Sequence, residues 1–241
     1  DEEPANVYAF IHAVSSRLKE GQVTVVGNGS ACVVGGHAYI IKKGQRFITN
    51  SAIASMGYDL PAAIGAWTAS RDKGCYCQGG DRSGDDLILV TGDGSMQMNL
   101  QELQTIIHHR MGIKIFVINN GGYHSIRQTQ KNFFGEPLIG IGVDSGDLSF
   151  PALDKLAAAY GYPYVSARHN SELGEAVEKT LAAEGPVICE VFVSMDQNFE
   201  PKSSAKRLPD GTMVSPPLED LSPFLPDEEM DENMIIPRIK G

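Results

Sequence analysis

The stretch Leu87-Ile88-Leu89-Val90-Thr91-Gly92-Asp93-Gly94-Ser95 decides the fold. An apolar run of strand length ends in a glycine-rich turn that carries a carboxylate. A second run, Ile113-Lys114-Ile115-Phe116-Val117-Ile118, ends in Asn119-Asn120. The residues between them have helical spacing, with apolar positions 100, 103, 106 and 107 and an Asn99…Glu102 pair at capping-box distance. Strand, helix and strand in this order form a βαβ unit, whose two strands run parallel and end at the same sheet edge. Asp93 and Asn120 are therefore expected to meet in the crevice at the carboxyl ends of the strands, where open α/β sheets bind ligands. A carboxylate, an amide oxygen and glycine-freed backbone in one crevice suit magnesium with a phosphorylated ligand.

Working outward, the spacing of Val7, Phe10, Ile11, Val14 and Leu18 predicts a helix over residues 7–19, with a buried strand at 23–26. Short extended pieces are expected at 38–41 and 47–49. A helix is expected from Leu60-Pro61 through Trp67, because proline is tolerated in a first turn. Residues 71–86 read as a long polar loop. Past the central unit the pattern gives a helix at 123–132, a glycine-rich loop at 133–149, a helix ending before Gly161 and a short strand at Tyr164-Val165. A Ser171-capped helix to Ala183 and a last strand over 187–193 complete it. Strands alternating with helices predict a three-layer α/β/α domain with a mostly parallel sheet over residues 1–195. Residues 196–241, rich in proline and acid, read as a C-terminal tail, either a solvated arm or a lid.

Hydrophobic residues make up 42% and charged residues 21% of the chain, as in ordinary globular proteins. The net charge of −10 argues against nucleic acid or an anionic membrane as partner. No apolar run reaches the ~20 residues of a membrane span. The chain starts without a methionine, which reads as a processed or excised piece of something longer. Cys32 and Cys189 sit among apolar residues and read as small buried hydrophobes. Cys75 and Cys77 lie in the polar loop without a second ligand pair at zinc spacing. A reduced, cytoplasmic protein fits this usage.

Taken alone, Gly-Asp-Gly is a common surface turn. With Asn120 placed 27 positions after Asp93, the pattern closely resembles the signature of thiamine diphosphate enzymes. The stretch Ala52-Ile53-Ala54-Ser55-Met56-Gly57-Tyr58-Asp59-Leu60-Pro61-Ala62-Ala63-Ile64-Gly65-Ala66 is similar to the loop and helix ahead of that signature in acetohydroxyacid (acetolactate) synthase large subunits. The resemblance covers roughly residues 5 to 195. It implies that Asp93, Asn120 and the Gly122 carbonyl hold Mg2+, and that the Gly94 and Ser95 amides face the cofactor diphosphate. It also implies that Met56, otherwise a generic core filler, wedges the cofactor into a bent shape while the Ala54 carbonyl accepts from its aminopyrimidine. Cofactor contacts are further assigned to Tyr123, Ser125 and Ile126. The Asn28-Gly29-Ser30 turn either faces the diphosphate or simply ends a strand; it lacks the third glycine of a nicotinamide fingerprint. Tyr123 and His124 follow the metal loop and either reach substrate or pack.

Several positions depart from the pattern. Ala52 and Ala54 replace glycines, Ser30-Ala31 replaces a Gln-His pair, Ser125 stands for Met and Thr129 for the Trp that shapes the acceptor pocket. The resemblance implies decarboxylation of a small 2-oxo acid such as pyruvate, with transfer of the acyl carbanion to a carbonyl acceptor. The departures suggest a bulkier acceptor, for instance a sugar-derived ketone. Alternatives are decarboxylation without ligation, or a non-catalytic module of the same fold. The glutamate that activates the cofactor is expected outside this chain. It would lie on a pyrimidine-binding domain of the same protein or of another subunit, in a homo-oligomer (dimer or tetramer).

Overall fold

A computed structural model describes residues 3–71 and 86–238. The predicted polar loop, with Cys75 and Cys77, lies outside the described residues apart from its two end positions. The chain divides into two compact units, Asp1–Gln197 and Asn198–Gly241.

Helices and strands alternate along the first unit: α1 (Val7–Arg17), β1 (Val23–Val26), α2 (Ser30–Ala38), β2 (Arg46–Ile48), α3 (Asp59–Arg71) and β3 (Leu87–Gly92). After them come α4 (Asp93–Met96), α5 (Glu102–His108), β4 (Ile113–Asn119), α6 (His124–Phe133) and α7 (Leu153–Tyr160). The unit closes with β5 (Tyr164–Ala167), α8 (Leu173–Ala182) and β6 (Val187–Phe192). Among the described residues the sheet has six strands in the order β2-β1-β3-β4-β6-β5, every pair parallel. β3 and β4 pair from Leu87↔Ile113 to Gly92↔Ile118, so the turns that follow them emerge side by side.

The apolar runs are continuous rather than alternating because both faces are covered. Leu87, Leu89, Ile113, Ile115 and Val117 pack with Leu60, Ala63, Leu103, Ile106 and Ala157 from α3, α5 and α7. Helices α1, α2 and α8 pack on one another, and Phe10 of α1 meets Phe116 of β4 with ring centroids 5.9 Å apart. The sheet's amino edge is held by Lys114, fully buried, whose Nζ donates to the carbonyls of Ala183 and Gly185 (2.8 Å to the latter) and pairs with Asp86 at 3.1 Å. Its four-carbon stem lies in the core while its charge satisfies carbonyls at the end of α8, which is favourable for a cation at a helix C-terminus.

Helix α2 was not expected. Its Gly35-Gly36 pair weakens the helical signal, but a Cβ on Gly35 would stand 3.1 Å from the Phe47 ring, so close packing on β2 decides the segment. The extended piece predicted at 38–41 is not a strand. Tyr39 leaves α2 in an extended conformation, and its hydroxyl bonds Thr24 at 2.8 Å. The Asn99…Glu102 capping box does not form: Asn99 donates instead to Gly57 O at 2.7 Å, and α5 begins after Gln101. Ser171 lies within a 3-10 turn (Asn170–Glu172); the cap is His169, with Glu172 accepting from the N–H groups of Arg168 and His169. Cys189 is buried, and burial pushes its thiol up to about 11. Cys32 is only half-buried, 3.2 Å from Thr49 Oγ1.

The second unit, read from the sequence as a tail, has structure of its own. Lys206–Arg207 and Met213–Val214 (β7 and β8) form a short antiparallel hairpin, and Asp227–Asn233 (α9) buries Met230. Arg238 bonds Asp227 and Asp231. Among the described residues no helix is long and apolar enough to cross a membrane.

Candidate functional site

The connections from β1 and β3 run to opposite sides of the sheet: β1 leads outward to β2, and β3 to β4. The crevice between their carboxyl ends is the topological switch point at which doubly wound sheets bind ligands. Gly27 N–H donates to Val90 O at 2.8 Å, which brings the Gly27–Ser30 turn against the turn after β3. The cleft there is lined by Asn28, Gly29, Ser30, Met56, Asp93, Gly94, Ser95, Asn120, Gly122, Tyr123, His124 and Ser125. Two predicted contacts are not among the lining residues. Ile126 is on the outer face of α6, 46% exposed, and Ala54 lies in the loop ahead of Met56.

Asp93 starts α4 and is buried. Its Oδ1 accepts from Gly94 N–H at 2.8 Å and its Oδ2 from Gly122 N–H at 3.0 Å. Burial pushes its carboxyl up to about 7, against the lowering influence of these N–H bonds and of Arg127. The Gly94 amide, expected to face a diphosphate, is thus engaged by Asp93. Ser95 lies in the first turn of α4, where backbone N–H groups have no helical acceptor. Asn120 Nδ2 donates to Ser30 Oγ at 2.8 Å, while Asn120 Oδ1 is buried with no donor. An amide oxygen left so is uncommon in a folded interior. Gly122 has φ +146, and a Cβ there would overlap Ile141 O. A Cβ on Gly94 would fall 2.5 Å from the Tyr123 ring, which packs edge-on against Phe150.

Two residues that organise this loop carried no signal in the sequence. Arg127 is buried one turn into α6, where an arginine in a polar helix reads as a solvated face. Its guanidinium pairs bidentately with Asp144 (2.7 and 2.9 Å) and donates to the carbonyls of Asn120 (3.0 Å) and Gly121 (3.1 Å). Asp59 is fully buried at the start of α3, where an acid reads as a dipole complement. His124 packs: its Nε2 meets Gln197 O at 2.8 Å, and burial lowers its pKa, favouring neutral imidazole. Thr129 is exposed and bonds Ser125 O within its own helix at 3.0 Å.

Ala54 adopts a left-handed backbone, φ +55. For an L-residue that conformation costs roughly 1–2 kcal/mol, while glycine costs about 0.5–1 kcal/mol in unfolded-state entropy. Ala54→Gly is therefore expected to stabilise the fold by about 0.5–1 kcal/mol, read as a rise in urea midpoint at unchanged slope.

Residues 27–191 match the family model described as thiamine pyrophosphate enzyme, C-terminal TPP binding domain. The chain belongs to the thiamine pyrophosphate enzymes. Thiamine pyrophosphate, or thiamine diphosphate, is the cofactor that names this family. The acetolactate synthase of Arthrospira platensis is 31% identical over 157 residues, covering 65% of this chain and 24% of that protein. The acetolactate synthase large subunit of Cyanidium caldarium is 33% identical over 156 residues, 65% of this chain and 24% of its own length. The chloroplastic acetolactate synthase 2 of Nicotiana tabacum is 28% identical over 211 residues, 82% and 30% respectively. The chain thus spans about a quarter to a third of the length of these relatives. The parallel α/β/α architecture predicted from the sequence is that of the thiamine pyrophosphate-binding domain.

Proposed function

We propose that this chain is the diphosphate-side domain of an acetolactate synthase-like enzyme, with Mg2+ held by Asp93, Asn120 Oδ1 and the Gly122 carbonyl. The observation that carries the reading is the orphaned Asn120 Oδ1 in the cleft that Asp93 and Gly122 also line. A buried amide oxygen without a donor and a carboxylate whose burial is poorly offset are both relieved by a hard divalent cation. Asn120 is oriented for this by Ser30, which takes its Nδ2–H and leaves Oδ1 for a metal. The Ser95 amide and the Asn28-Gly29-Ser30 turn bind the diphosphate, as N–H groups at a helix start favour anions. Met56 seats the thiamine end, and Tyr123 and Ser125 line the same cleft.

When bound, the cofactor supplies the chemistry by which a 2-oxo acid, pyruvate in the simplest case, loses carbon dioxide and its acyl unit passes to a carbonyl acceptor. This chain holds and orients the cofactor. A glutamate on a pyrimidine-side domain, in the same protein or a second subunit of a homo-oligomer, activates it. Thr129 and Ser125 leave more room than Trp and Met would, which favours an acceptor bulkier than a second pyruvate. Assaying the complete protein with sugar-derived ketones beside pyruvate and 2-oxobutyrate tests this; preference for the small acceptors rejects it.

The cofactor assignment is tested by titrating thiamine diphosphate into the complete protein with and without Mg2+. Binding is expected to require the metal, and Asp93→Ala to weaken it on the order of 100-fold or more, since a lost second-shell partner alone costs 10–100-fold. Metal-independent binding, or an unchanged Asp93→Ala, rejects the reading.

A further inference from the structure

Three of the four segments that line the cleft converge on one buried carboxylate. Thr91 Oγ1, near the end of β3, donates to Asp59 Oδ2, and Ser95 Oγ donates to Asp59 Oδ1 at 2.9 Å. The Ser95 hydroxyl proton is thereby committed to the carboxylate, and its oxygen accepts Gly57 N–H at 3.0 Å. Asn99 takes the other side of the same residue, donating to Gly57 O at 2.7 Å. The first turn also rests on Asp59, because a Cβ on Gly27 would overlap its carboxylate. Gly57 directly follows Met56. Ahead of it the loop is anchored to itself, Ala54 N–H donating to Asn50 O at 2.8 Å, while Ile53 is 81% exposed. What fixes Met56 is therefore the clamp on Gly57, and one jaw of that clamp is oriented by Asp59.

We propose that Asp59 is a positioning residue that sets Met56 through Ser95 and Gly57, and so governs affinity for the thiamine end of the cofactor more strongly than affinity for its diphosphate. The inference rests on the cofactor reading given above. A hydroxyl held by a fixed carboxyl acceptor stays in one orientation, whereas a free serine hydroxyl rotates among several and offers its lone pair to Gly57 only part of the time. Asp59 is fully buried and not among the residues lining the cleft, so its influence passes through the loop.

The experiment compares thiamine diphosphate with inorganic diphosphate, each titrated calorimetrically with Mg2+ into the complete protein. Asp59→Ala is expected to weaken thiamine diphosphate about tenfold or more, the scale of a hydrogen bond to a charged group, and inorganic diphosphate less than about threefold. Ser95→Ala, which leaves the Thr91 bond to Asp59 intact, is expected to show the same selective loss, and the double variant little more than either single one. Thr91→Val removes the other hydroxyl and is expected to lower stability while leaving the ratio of the two affinities unchanged. Equal losses for both ligands in Ser95→Ala, or an altered ratio in Thr91→Val, overturn the proposal even if Asp59→Ala does not fold. If the unmodified protein binds inorganic diphosphate but not thiamine diphosphate, it is the cofactor reading that fails.

Discussion

Arg127→Ala is expected to lower stability by about 3 kcal/mol and to loosen the loop that presents Asn120 and Gly122. The guanidinium makes four hydrogen bonds in a buried position, two to Asp144 and two to the carbonyls of Asn120 and Gly121. Removing it leaves the Asn120 carbonyl without its donor, the Gly121 carbonyl with the Val143 N–H alone, and a void behind the loop. Asp144 is 23% exposed and can hydrate, which keeps the loss near the lower end for a broken buried pair. Arg127→Lys restores the charge but not the planar fork that spans carboxylate and carbonyls together, so it is expected to recover only part of the loss. The pair also sets a pH dependence. Arg127 holds the Asp144 carboxyl below the usual carboxylate range, so the native state binds that proton more weakly than the unfolded chain. The stabilisation is complete above the unfolded pKa and fades as pH falls through the folded one. The difference in unfolding free energy between the wild-type protein and Arg127→Ala should therefore narrow on acidification. Chemical denaturation at neutral and acidic pH measures both effects; a loss under about 1 kcal/mol at neutral pH would show that the loop supports itself.

Gly122→Ala is expected to be the most damaging single-methyl change. At φ +146 an L-residue is strained, and the added Cβ would overlap Ile141 O and lie 2.8 Å from Gly142 Cα. Both neighbours are backbone and cannot swing away. The strained conformation and the overpacking together are expected to cost about 3 kcal/mol or more. The functional effect exceeds the loss of stability, because the same residue donates its N–H to Asp93 and offers its carbonyl to the proposed metal. Displacing it is expected to abolish magnesium-dependent thiamine diphosphate binding even at temperatures where the variant is folded. Circular dichroism alongside calorimetry separates the two; a folded variant that binds normally would remove Gly122 from the site.

The central βαβ unit was legible because its two apolar runs and two polar turns are local in sequence, and parallel topology then places Asp93 and Asn120 together. What was not legible depended on contacts between distant segments. Helix α2 forms because Gly35 lets it close on Phe47, which no local propensity reports. Asn99 gives up its capping role because its Nδ2 reaches Gly57 O, 42 positions away, and its Oδ1, the atom a cap would use, accepts from Gln101 Nε2. Arg127 and Asp59 have no local signal of their partners, because only the fold brings Asn120, Asp144, Thr91 and Ser95 to them. The bond from the Gly94 amide to the neighbouring Asp93 side chain depends on one particular rotamer, which no sequence pattern reports. Met56 was read from the resemblance, while Ser30 and Ser125 stood out as departures from it; all three border the cleft.

Because every strand of the main sheet points the same way, the turns that line the cleft leave the sheet at one end and the strands start at the other. Arg71 leaves α3 and Asp86 enters β3 at the end where Lys114 is anchored, a full strand away from Asp93. Six residues of β3 at roughly 3.3 Å each put about 20 Å between that entrance and the cofactor turn. The sequence joining Arg71 to Asp86 is thus a natural graft point. A small tag or fluorophore placed there is expected to leave thiamine diphosphate affinity unchanged, and so to give a handle for immobilising or tracking the protein without touching its chemistry.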